Sequence, residues 1–315
     1  MVLNSLDCVL FGDVFIDIII QMNKNNKQIC RGGTAYGDFV KPALGGIGNI
    51  AVGLQTLGCK TAVVGKAGAD FLGKSYLQNL KENGVITEIF LDDDFPTGLI
   101  LVYLESGKER SFNVFRGAND KLSISEIDKS TNLIEQSDYV YFSGFSLVND
   151  PQRSAILRAI DLAKRFNKKI VFDPGAFNLI KSEKSFFSKL SSLCDVFSPN
   201  LEEARAITNL TYLNDVIEKL RETIPLTALK LDQNGCILIT KDKLIKVPRY
   251  NSKCIDPTGA GDAFTAGVIY GLTRKMALEC TAQLANWYAS QVVSRIGPRS
   301  FPTKPSIKNF LKKLQ

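Results

Sequence analysis

The sequence predicts an α/β fold: a doubly wound, mostly parallel sheet flanked by helices, with a small β-sheet lid. Two observations support this prediction. Beyond residue 135, short β-rich runs recur about 30 residues apart, at residues 139–142, 169–172, 195–197 and 228–231. Amphipathic segments at residues 153–166 and 214–223 lie between them, as the right-handed crossovers of a parallel sheet require.

The N-terminal half departs from this rhythm and predicts the lid. Its candidate strands and turns are residues 8–12 with an extension to residue 20, a glycine-rich stretch at 31–40, and strands at 99–104 and 110–115 joined by a turn at 105–108. Two long helical stretches, 260–272 and 276–293, close the chain. We therefore expect one domain over residues 1–315, with lid segments at about 12–45 and 96–116 inserted in its α/β core.

Composition excludes several classes of catalyst. The chain of 315 residues contains no histidine, which excludes Ser-His-Asp and Cys-His triads and zinc sites that need imidazole. Acid–base chemistry must then use a carboxylate, a lysine, a cysteine or a tyrosine. The net charge of +7 is spread along the chain rather than clustered, so we expect no nucleic-acid partner.

Cysteine usage and hydropathy bear on location. The seven cysteines are scattered, with no CxxC pair, which favours a reducing compartment and argues against disulfides. No apolar run approaches the roughly 20 residues of a membrane span, and no basic segment precedes the first apolar stretch. We expect a cytoplasmic protein without a membrane partner.

The strongest local signal is the run DPTGAGDAF at residues 256–264. Gly259, Ala260 and Gly261 have little or no side chain, so their backbone N–H groups can converge on one point where a helix begins. Such a cradle suits the negative charge of a transferring phosphoryl group. Asp262, one residue further on, is then the best-placed base for an attacking alcohol. An isolated aspartate here would more simply cap the helix, but the nine-residue run favours catalysis.

A competing motif lies earlier in the chain. Residues 68–75, GADFLGKS, satisfy the P-loop pattern GxxxxGK[ST] between a strand-like run at 61–64 and a helical stretch at 75–81. Asp70 would place a negative charge inside a loop meant to hold phosphates, and Phe71 is bulky where the backbone must wrap closely. We therefore expect a loop that packs under the following helix.

Two motifs together resemble the ribokinase-like (PfkB) carbohydrate kinases. DPTGAGDAF is similar to the C-terminal signature of that family, and LGGIGN at residues 44–49 is similar to its N-terminal signature. The similarity extends from Gly12 to Pro302. The resemblance implies an ATP-dependent phosphotransferase with an alcohol acceptor, in which Asp262 is the base and the amides of residues 259–262 form the anion hole.

The resemblance also implies a nucleotide and metal site. Asn200 and Glu203 match the NxxE motif that positions magnesium through waters, although such residues are also common where a helix begins. Lys230, Asp232 and Gly235 fall where the family places its nucleotide loop, with Asp232 at a position that is glycine in many relatives.

Two further assignments come from the resemblance. Asn286 falls near the adenine pocket, although an asparagine on this apolar helix equally has a structural role. Asp256 and Thr258, with residues 294–300, resemble the monovalent-cation site of potassium-activated members, so we expect K⁺ besides Mg²⁺ and ATP. Residues 296–300 differ in sequence from ribokinase.

The resemblance implies that four residues and one segment serve the binding of the phosphoryl acceptor. Asp17 and Asn49 match residues that hydrogen-bond substrate hydroxyls, and Gly45 with Gly46 match the hinge of the lid. Residues 109–118 resemble the lid strand of kinases that act on fructose or 2-keto-3-deoxygluconate, where arginine or aromatic side chains reach the substrate.

The acceptor itself is less sharply predicted. Arg110 or Arg116 would pair with a carboxylate or phosphate of a sugar or sugar acid, although either is equally a surface residue of an exposed strand. The alternative is a nucleoside kinase in which Phe112 and Phe115 stack on the base, although both are equally core residues of the lid. A third hypothesis is a silent relative that binds nucleotide and regulates a partner. Lids pair between subunits in many relatives, which implies a homodimer.

Overall fold

The computed structural model describes residues 5–22, 33–34, 36–104 and 110–314. For Met22, Leu104 and Arg110 only the backbone is described. The predicted turn at 105–108, and residues 31, 32 and 35 of the predicted glycine-rich stretch, lie outside this part of the chain.

The described residues form two sheets. Their strands are β1 (Leu6–Phe11), β2 (Phe15–Met22), β3 (Gly37–Leu44), β4 (Thr61–Gly68), β5 (Ile86–Asp92), β6 (Gly98–Leu104), β7 (Arg110–Phe115), β8 (Ser137–Ser143), β9 (Lys169–Asp173), β10 (Val196–Phe197), β11 (Leu226–Lys230), β12 (Cys236–Thr240) and β13 (Leu244–Val247). The larger sheet has nine strands in the order β13-β12-β11-β10-β9-β8-β1-β4-β5. Its neighbours from β11 to β5 pair in parallel, and β12 and β13 add antiparallel strands at one edge.

Helices cover both faces of the large sheet. They are α1 (Gly48–Leu57), α2 (Phe71–Glu82), α3 (Ile124–Lys129), α4 (Thr131–Glu135), α5 (Gln152–Arg165), α6 (Phe177–Ser182), α7 (Lys184–Ser191), α8 (Leu201–Thr208), α9 (Leu213–Thr223), α10 (Ala260–Thr273), α11 (Leu278–Val292) and α12 (Lys304–Lys313). Buried side chains of α1, α2 and α10–α12 join one hydrophobic core, and those of α3–α9 join the other.

Strand β1 contributes to both cores because successive side chains of a strand point to opposite faces. Cys8 and Leu10 lie in the core of α1 and α10, whereas Val9 and Phe11 lie in the core of α5. Burial on both faces explains the continuous apolar run at this strand, which is typical of parallel sheets. The predicted doubly wound, mostly parallel α/β fold is confirmed.

The smaller sheet has the order β3-β2-β6-β7. Its central pair, β2 and β6, is parallel, and both outer pairs are antiparallel. The extension of the first strand to residue 20 was wrong, because the chain leaves the large sheet after β1. The N–H of Gly12 still donates to the Val64 carbonyl of β4. Beyond it, the Asp13 carbonyl accepts the N–H of Ile47, and the Asn119 side chain accepts the N–H of Val14, so these groups bond to residues outside both sheets.

Residues 68–75 do not form a phosphate-binding loop. Asp70 is the N-cap of α2, where its carboxylate accepts the Gly73 N–H at 2.8 Å and the Thr97 N–H at 2.8 Å. The first-turn donor that a phosphate would need is therefore bound to a carboxylate of the protein. A Cβ at Gly73 would collide with the carbonyl oxygen of Gly68, which explains the second glycine of the pattern.

In the part of the chain that the structure describes, every helix is too short or too polar to cross a lipid bilayer.

We predict that Asp70→Ala lowers the free energy of unfolding by about 1–2 kcal/mol, because it removes a helix cap and leaves the buried N–H of Thr97 unpaired. Hydrogen bonds from Thr97 and Gly73 outweigh burial and lower the pKa of Asp70. Its contribution is therefore present above about pH 4 and disappears as the pH falls further. Urea unfolding at pH 7 would measure the loss. Equal losses in Asp70→Ala and in Asp93→Ala, a change at an exposed neighbouring carboxylate, would contradict it.

Candidate active site

A cavity of about 440 Å³ opens at the carboxyl-terminal edge of the large sheet. Parallel strands end here, and the loops that follow β8, β9, β10 and β11 bring polar side chains together, as open α/β sheets generally do. Its polar lining includes Asp173, Asn200, Glu203, Lys230, Asp262 and Asn286. The N-terminus of α10 forms one wall, with Gly259, Ala260 and Gly261 in contact with the cavity.

The residues of the predicted cradle lie at the start of α10. Gly259 has a φ of +78°, and a Cβ there would lie 2.5 Å from the Pro298 carbonyl oxygen, so glycine is required. Gly261 and Asp262 lie in the first turn, where backbone N–H groups have no acceptor within the helix. With the positive end of the helix dipole, these N–H groups make the wall suitable for an anion.

Asp262 is partly buried beside this cradle. Burial raises the pKa of its carboxyl to about 6, and the hydrogen bond from Asn49 Nδ2 to Oδ2, 3.0 Å long, acts in the opposite direction. Asn49 lies in the first turn of α1, so α1 and α10 meet at this bond. The carboxylate thus has one oxygen fixed by an amide and lies next to a set of backbone donors.

Asp17 enters the same region from β2 of the smaller sheet. Its carboxyl is buried, and burial together with the charge of Asp262 raises its pKa to about 7. Within the described residues, its Oδ1 atom has no hydrogen-bond partner. A Cβ at Gly45 would collide with this carboxylate, and one at Gly46, where φ is +60°, would collide with the Asp13 carbonyl. The Gly45–Gly46 pair therefore lets the chain pass closely from β3 to α1.

Lys230, at the end of β11, is held by an ion pair. Its Nζ lies 2.8 Å from Asp173 Oδ2, which also accepts the hydroxyl of Thr265 at 3.0 Å. Burial acts to lower the pKa of Lys230, but the charges of Asp173 and Glu203 outweigh it and raise the pKa. The ammonium lies 3.7 Å from the position that a Cβ of Gly261 would take, so a cation stands beside the cradle.

Asn200 and Glu203 form a capping box on α8. Asn200 Oδ1 accepts the Glu203 N–H at 2.8 Å, and Glu203 Oε2 accepts the Asn200 N–H at 2.8 Å. Both interpretations of this motif are therefore compatible with the geometry: the pair begins the helix and also lines the cavity. Burial raises the pKa of Glu203.

The predicted nucleotide-loop residues border the same cavity. Asp232 has a φ of +49° and Gly235 a φ of +84°, and glycine adopts both conformations easily. The amide of Asn286 donates to the carbonyl oxygens of Val247 and Pro248, at 3.0 and 3.2 Å.

Asp256 and Thr258 join two loops beneath α10. Asp256 Oδ1 accepts the N–H and the hydroxyl of Thr258, and Oδ2 accepts the Gly297 N–H at 2.9 Å. The predicted role of these residues in cation binding stays a prediction.

Arg116 is held within the protein rather than extended from the lid strand. Its guanidinium pairs with Asp13 at 2.9 Å and with Asp120, and donates to Gln152 Oε1 at 2.6 Å. The side chain of Arg110 lies outside the described residues. The substrate contacts predicted for these two arginines therefore stay predictions.

Sequence reasoning missed Arg299 and Asp173. Arg299 Nε donates to Asn49 Oδ1 at 3.0 Å, so the chain of hydrogen bonds runs from Arg299 through Asn49 to Asp262. Asp173 is the acid that ends the buried strand β9, a signal that could have been used. Arg299 carried no local signal, because its partner Asn49 lies 250 residues earlier.

The donors of the cavity bear on the predicted magnesium ion. Asp173, Glu203 and Asp232 contribute carboxylate oxygens, which Mg²⁺ prefers. Across the described residues, no group of three or more His, Cys, Asp and Glu side chains could hold a metal ion by itself. The donors fit a magnesium ion bound mainly through waters and phosphate oxygens, as is usual at nucleotide sites.

Comparison with known proteins gives a family match along most of the chain. The model of the pfkB family of carbohydrate kinases matches residues 6–305. An uncharacterized sugar kinase of Archaeoglobus fulgidus is 27% identical over 79% of this chain and 97% of its own length. Fructokinase-1 of Oryza sativa subsp. japonica is 30% identical over 73% of this chain and 74% of its own length.

Solved structures share the fold. A probable sugar kinase from Rhizobium etli has a TM-score of 0.88 at 23% identity, covering 99% of this chain and 100% of its own. An adenosine kinase from Sinorhizobium meliloti has a TM-score of 0.87 at 24% identity, covering 97% and 99%. A putative ribokinase II from Escherichia coli, in complex with ATP and Mg²⁺, has a TM-score of 0.84 at 20% identity, covering 98% and 99%.

We predict that the Asp262 carboxyl titrates near pH 6 in a carboxyl-detected NMR experiment. Asn49→Leu should raise this midpoint by about one pH unit, because it removes a hydrogen bond that favours the charged form. Asn214→Leu, at an exposed position of α9, is the control and should leave the midpoint unchanged. An unchanged or lower midpoint in Asn49→Leu would show that the bond does not hold the carboxylate.

Proposed function

The chain belongs to the pfkB family of carbohydrate kinases, and from this premise we propose that it transfers the γ-phosphoryl group of ATP to a hydroxyl of a sugar or sugar acid. The observation that carries the proposal is the Asp262 carboxylate beside the N-terminus of α10, hydrogen-bonded to Asn49. A base and an anion cradle in contact are what phosphoryl transfer to an alcohol requires.

Asp262 is the proposed general base. With a pKa of about 6 it is largely ionised at pH 7, yet it is more basic than an ordinary carboxylate. General bases work best when their pKa lies near the operating pH. Because Asn49 binds Oδ2, the Oδ1 atom is left for the acceptor hydroxyl, whose proton it takes as the oxygen attacks phosphorus.

The proposed anion hole consists of the backbone N–H groups of residues 259–262. Lys230 adds a full positive charge next to Gly261, where charge develops on the transferring group. Fixed donors and a fixed cation need no reorganisation during the reaction, which is why such sites lower the barrier.

The nucleotide is proposed to occupy the 440 Å³ cavity. Lys230, Asp232 and Gly235 would contact it along the loop after β11, and Asn286 would lie against the adenine. Asn200 and Glu203 would orient the waters of a bound Mg²⁺, which neutralises phosphate charge when present. The E. coli neighbour, a complex with ATP and Mg²⁺, supports this assignment. Asp256 and Thr258 are proposed to hold a K⁺ ion.

Asp17 and Asn49 are proposed to bind the acceptor, with Gly45 and Gly46 as the hinge of the lid. The unpartnered Oδ1 of Asp17 supplies an acceptor for a substrate hydroxyl. Because the pKa of Asp17 is raised to about 7, a ligand that binds beside this carboxyl changes its protonation state near neutral pH. Arg110 and Arg116 remain candidates for an acidic group on the acceptor, Arg116 only if it leaves its present partners.

A sugar acceptor is favoured over a nucleoside by the relatives, since a fructokinase is 30% identical over 73% of this chain. The alternative rests on the adenosine kinase neighbour and on Phe112 and Phe115, each 56% exposed on the lid and available for stacking. A silent regulator is less favoured, because the base, the cradle and the NxxE pair are all present and adjacent.

We further propose one domain over residues 1–315, whose lid segments at about 12–45 and 96–116 form the smaller sheet. Phe112 and Val114 expose apolar surface on that sheet, which supports a homodimer through the lid. The six cysteines in the described residues are free thiols, which supports a reducing cytoplasmic location.

We predict that Asp262→Asn lowers kcat at least ~10²-fold, because the amide cannot accept the acceptor proton. The KM for ATP should change less than about threefold, since the carboxylate is not proposed to bind nucleotide. Steady-state kinetics in a coupled ADP-release assay would measure both. Asp215→Asn, at an exposed carboxylate of α9, is the matched control. Near-normal turnover in Asp262→Asn would refute its role as base.

A panel of acceptors separates the three functional hypotheses. We expect turnover with fructose, ribose or 2-keto-3-deoxygluconate and none with adenosine. Turnover confined to adenosine would select the nucleoside kinase. ATP binding by calorimetry without turnover of any acceptor would select the silent regulator.

A further inference from the structure

A second cavity, of about 450 Å³, shares no lining residue with the nucleotide cavity. Its walls come from four parts of the fold: β3 of the lid, α1, the carboxyl-terminal half of α2, and the loop at residues 296–302. Leu44, Val52 and Phe301 supply apolar surface, and Asn79 and Asn83 supply amides. The volume and mixed lining are those of a site for a small molecule rather than of a packing defect.

The charged side chains that line this second cavity are all positive. Its lining contains Lys41 and Arg299 but neither aspartate nor glutamate. Lys41 Nζ donates to the Ile296 carbonyl oxygen at 3.1 Å, and Arg299 Nη1 donates to Asn79 Oδ1 at 2.8 Å. Both acceptors are neutral, and within the described ranges neither cation has a carboxylate oxygen within 4.0 Å.

Cations that contact only neutral acceptors differ from other partly buried cations of this molecule. The partly buried cations Lys66, Arg116 and Lys230 each contact at least one carboxylate. Burying a cation without an ion pair is costly, so two cations in one cavity that contact only neutral acceptors there indicate that a negative charge binds between them. Burial lowers the pKa of Arg299, although the charges of Tyr76, Asp17 and Asp262 act in the opposite direction. Neither of these carboxylates belongs to the lining of the second cavity, and the Nη2 atom of Arg299 has no hydrogen-bond acceptor among the described residues.

We propose that the second cavity binds a small metabolite with a phosphate or carboxylate group, held between Lys41 and Arg299. Each cation has donors to spare: the Lys41 ammonium uses one hydrogen bond to Ile296, and Arg299 Nη1 has a second N–H beyond the one given to Asn79. The apolar wall at Leu44 and Phe301 would take the rest of the ligand.

Such a ligand would be coupled to phosphoryl transfer, a point that rests on the function proposed above. Lys41 belongs to the lid strand β3, whose neighbour β2 carries Asp17 in register with Ala43. Arg299 belongs to the core and supports Asn49, which binds Asp262. An anion that bridges the two cations would fix the lid against the core, and a fixed lid binds the acceptor with less loss of entropy.

Binding is tested by calorimetry with glycerol 3-phosphate, glycerate and neutral glycerol on the full chain. We expect binding of the phosphate, the carboxylate or both, and none of glycerol. Lys41→Met should weaken binding at least ~10-fold, since it removes one of two charges. Lys230→Met tests whether the anion binds at the cradle beside Gly261 instead, and it should leave the affinity for the anion unchanged. Lys246→Met, at an exposed position of β13, is the control for the loss of a surface charge. Loss of binding in Lys230→Met but not in Lys41→Met would overturn the proposal, as would no binding of either anion.

Coupling is tested by kinetics. The bound anion should lower the acceptor KM of the wild-type protein about fivefold and leave that of Lys41→Met unchanged. Lys41→Met without anion should retain the basal kcat. An unchanged KM in the wild-type protein at saturating anion would overturn the coupling. Because Asp262→Asn should still bind the anion in calorimetry, failure of this proposal and failure of the kinase assignment are distinguishable.

Discussion

The site depends on keeping a carboxylate charged where water is largely excluded. Burial raises the pKa of Asp262, and the groups that oppose this effect come from separate parts of the chain: the amide of Asn49, the ammonium of Lys230 and the guanidinium of Arg299. None of them neutralises Asp262 by direct ion pairing within the described residues. The carboxylate is therefore stabilised as an anion and still free to accept a proton, which a tight salt bridge would prevent.

The two sheets of the fold bring two carboxylates into one region. Asp17 comes from the smaller sheet and Asp262 from the core, and the charge of Asp262, after burial, raises the pKa of Asp17. They can share one region only because Gly45 and Gly46 let the backbone pass where any side chain would collide. The hydroxyl of Tyr76 ties this passage together, since it donates to the Gly45 carbonyl and accepts the Gly48 N–H.

Local chemistry made the core of the site predictable from sequence. The cradle and Asp262 lie within a few residues of one another, so their spacing alone fixes their geometry. Parallel strands were also predictable where apolar runs recur, but β5 and β13 were missed because they are edge strands with partly exposed faces. The buried strand β12, which lies between β11 and β13, was missed as well. The predicted extension of the first strand to residue 20 was wrong because Asp13 and Val14 are hydrogen-bonded to Ile47 and Asn119, distant residues that no local pattern reveals. Arg299 was missed for the same reason.

The position of β1 has a consequence for synthesis of the chain. This first strand lies between β4 and β8 inside the large sheet, so one of its neighbours is translated more than a hundred residues later. Asn49 precedes Asp262 by 213 residues, and Arg299 comes later still. A nascent polypeptide leaving the ribosome therefore carries Asp17 and Asn49 long before Asp262 exists, and a product of premature termination before α10 lacks the proposed base.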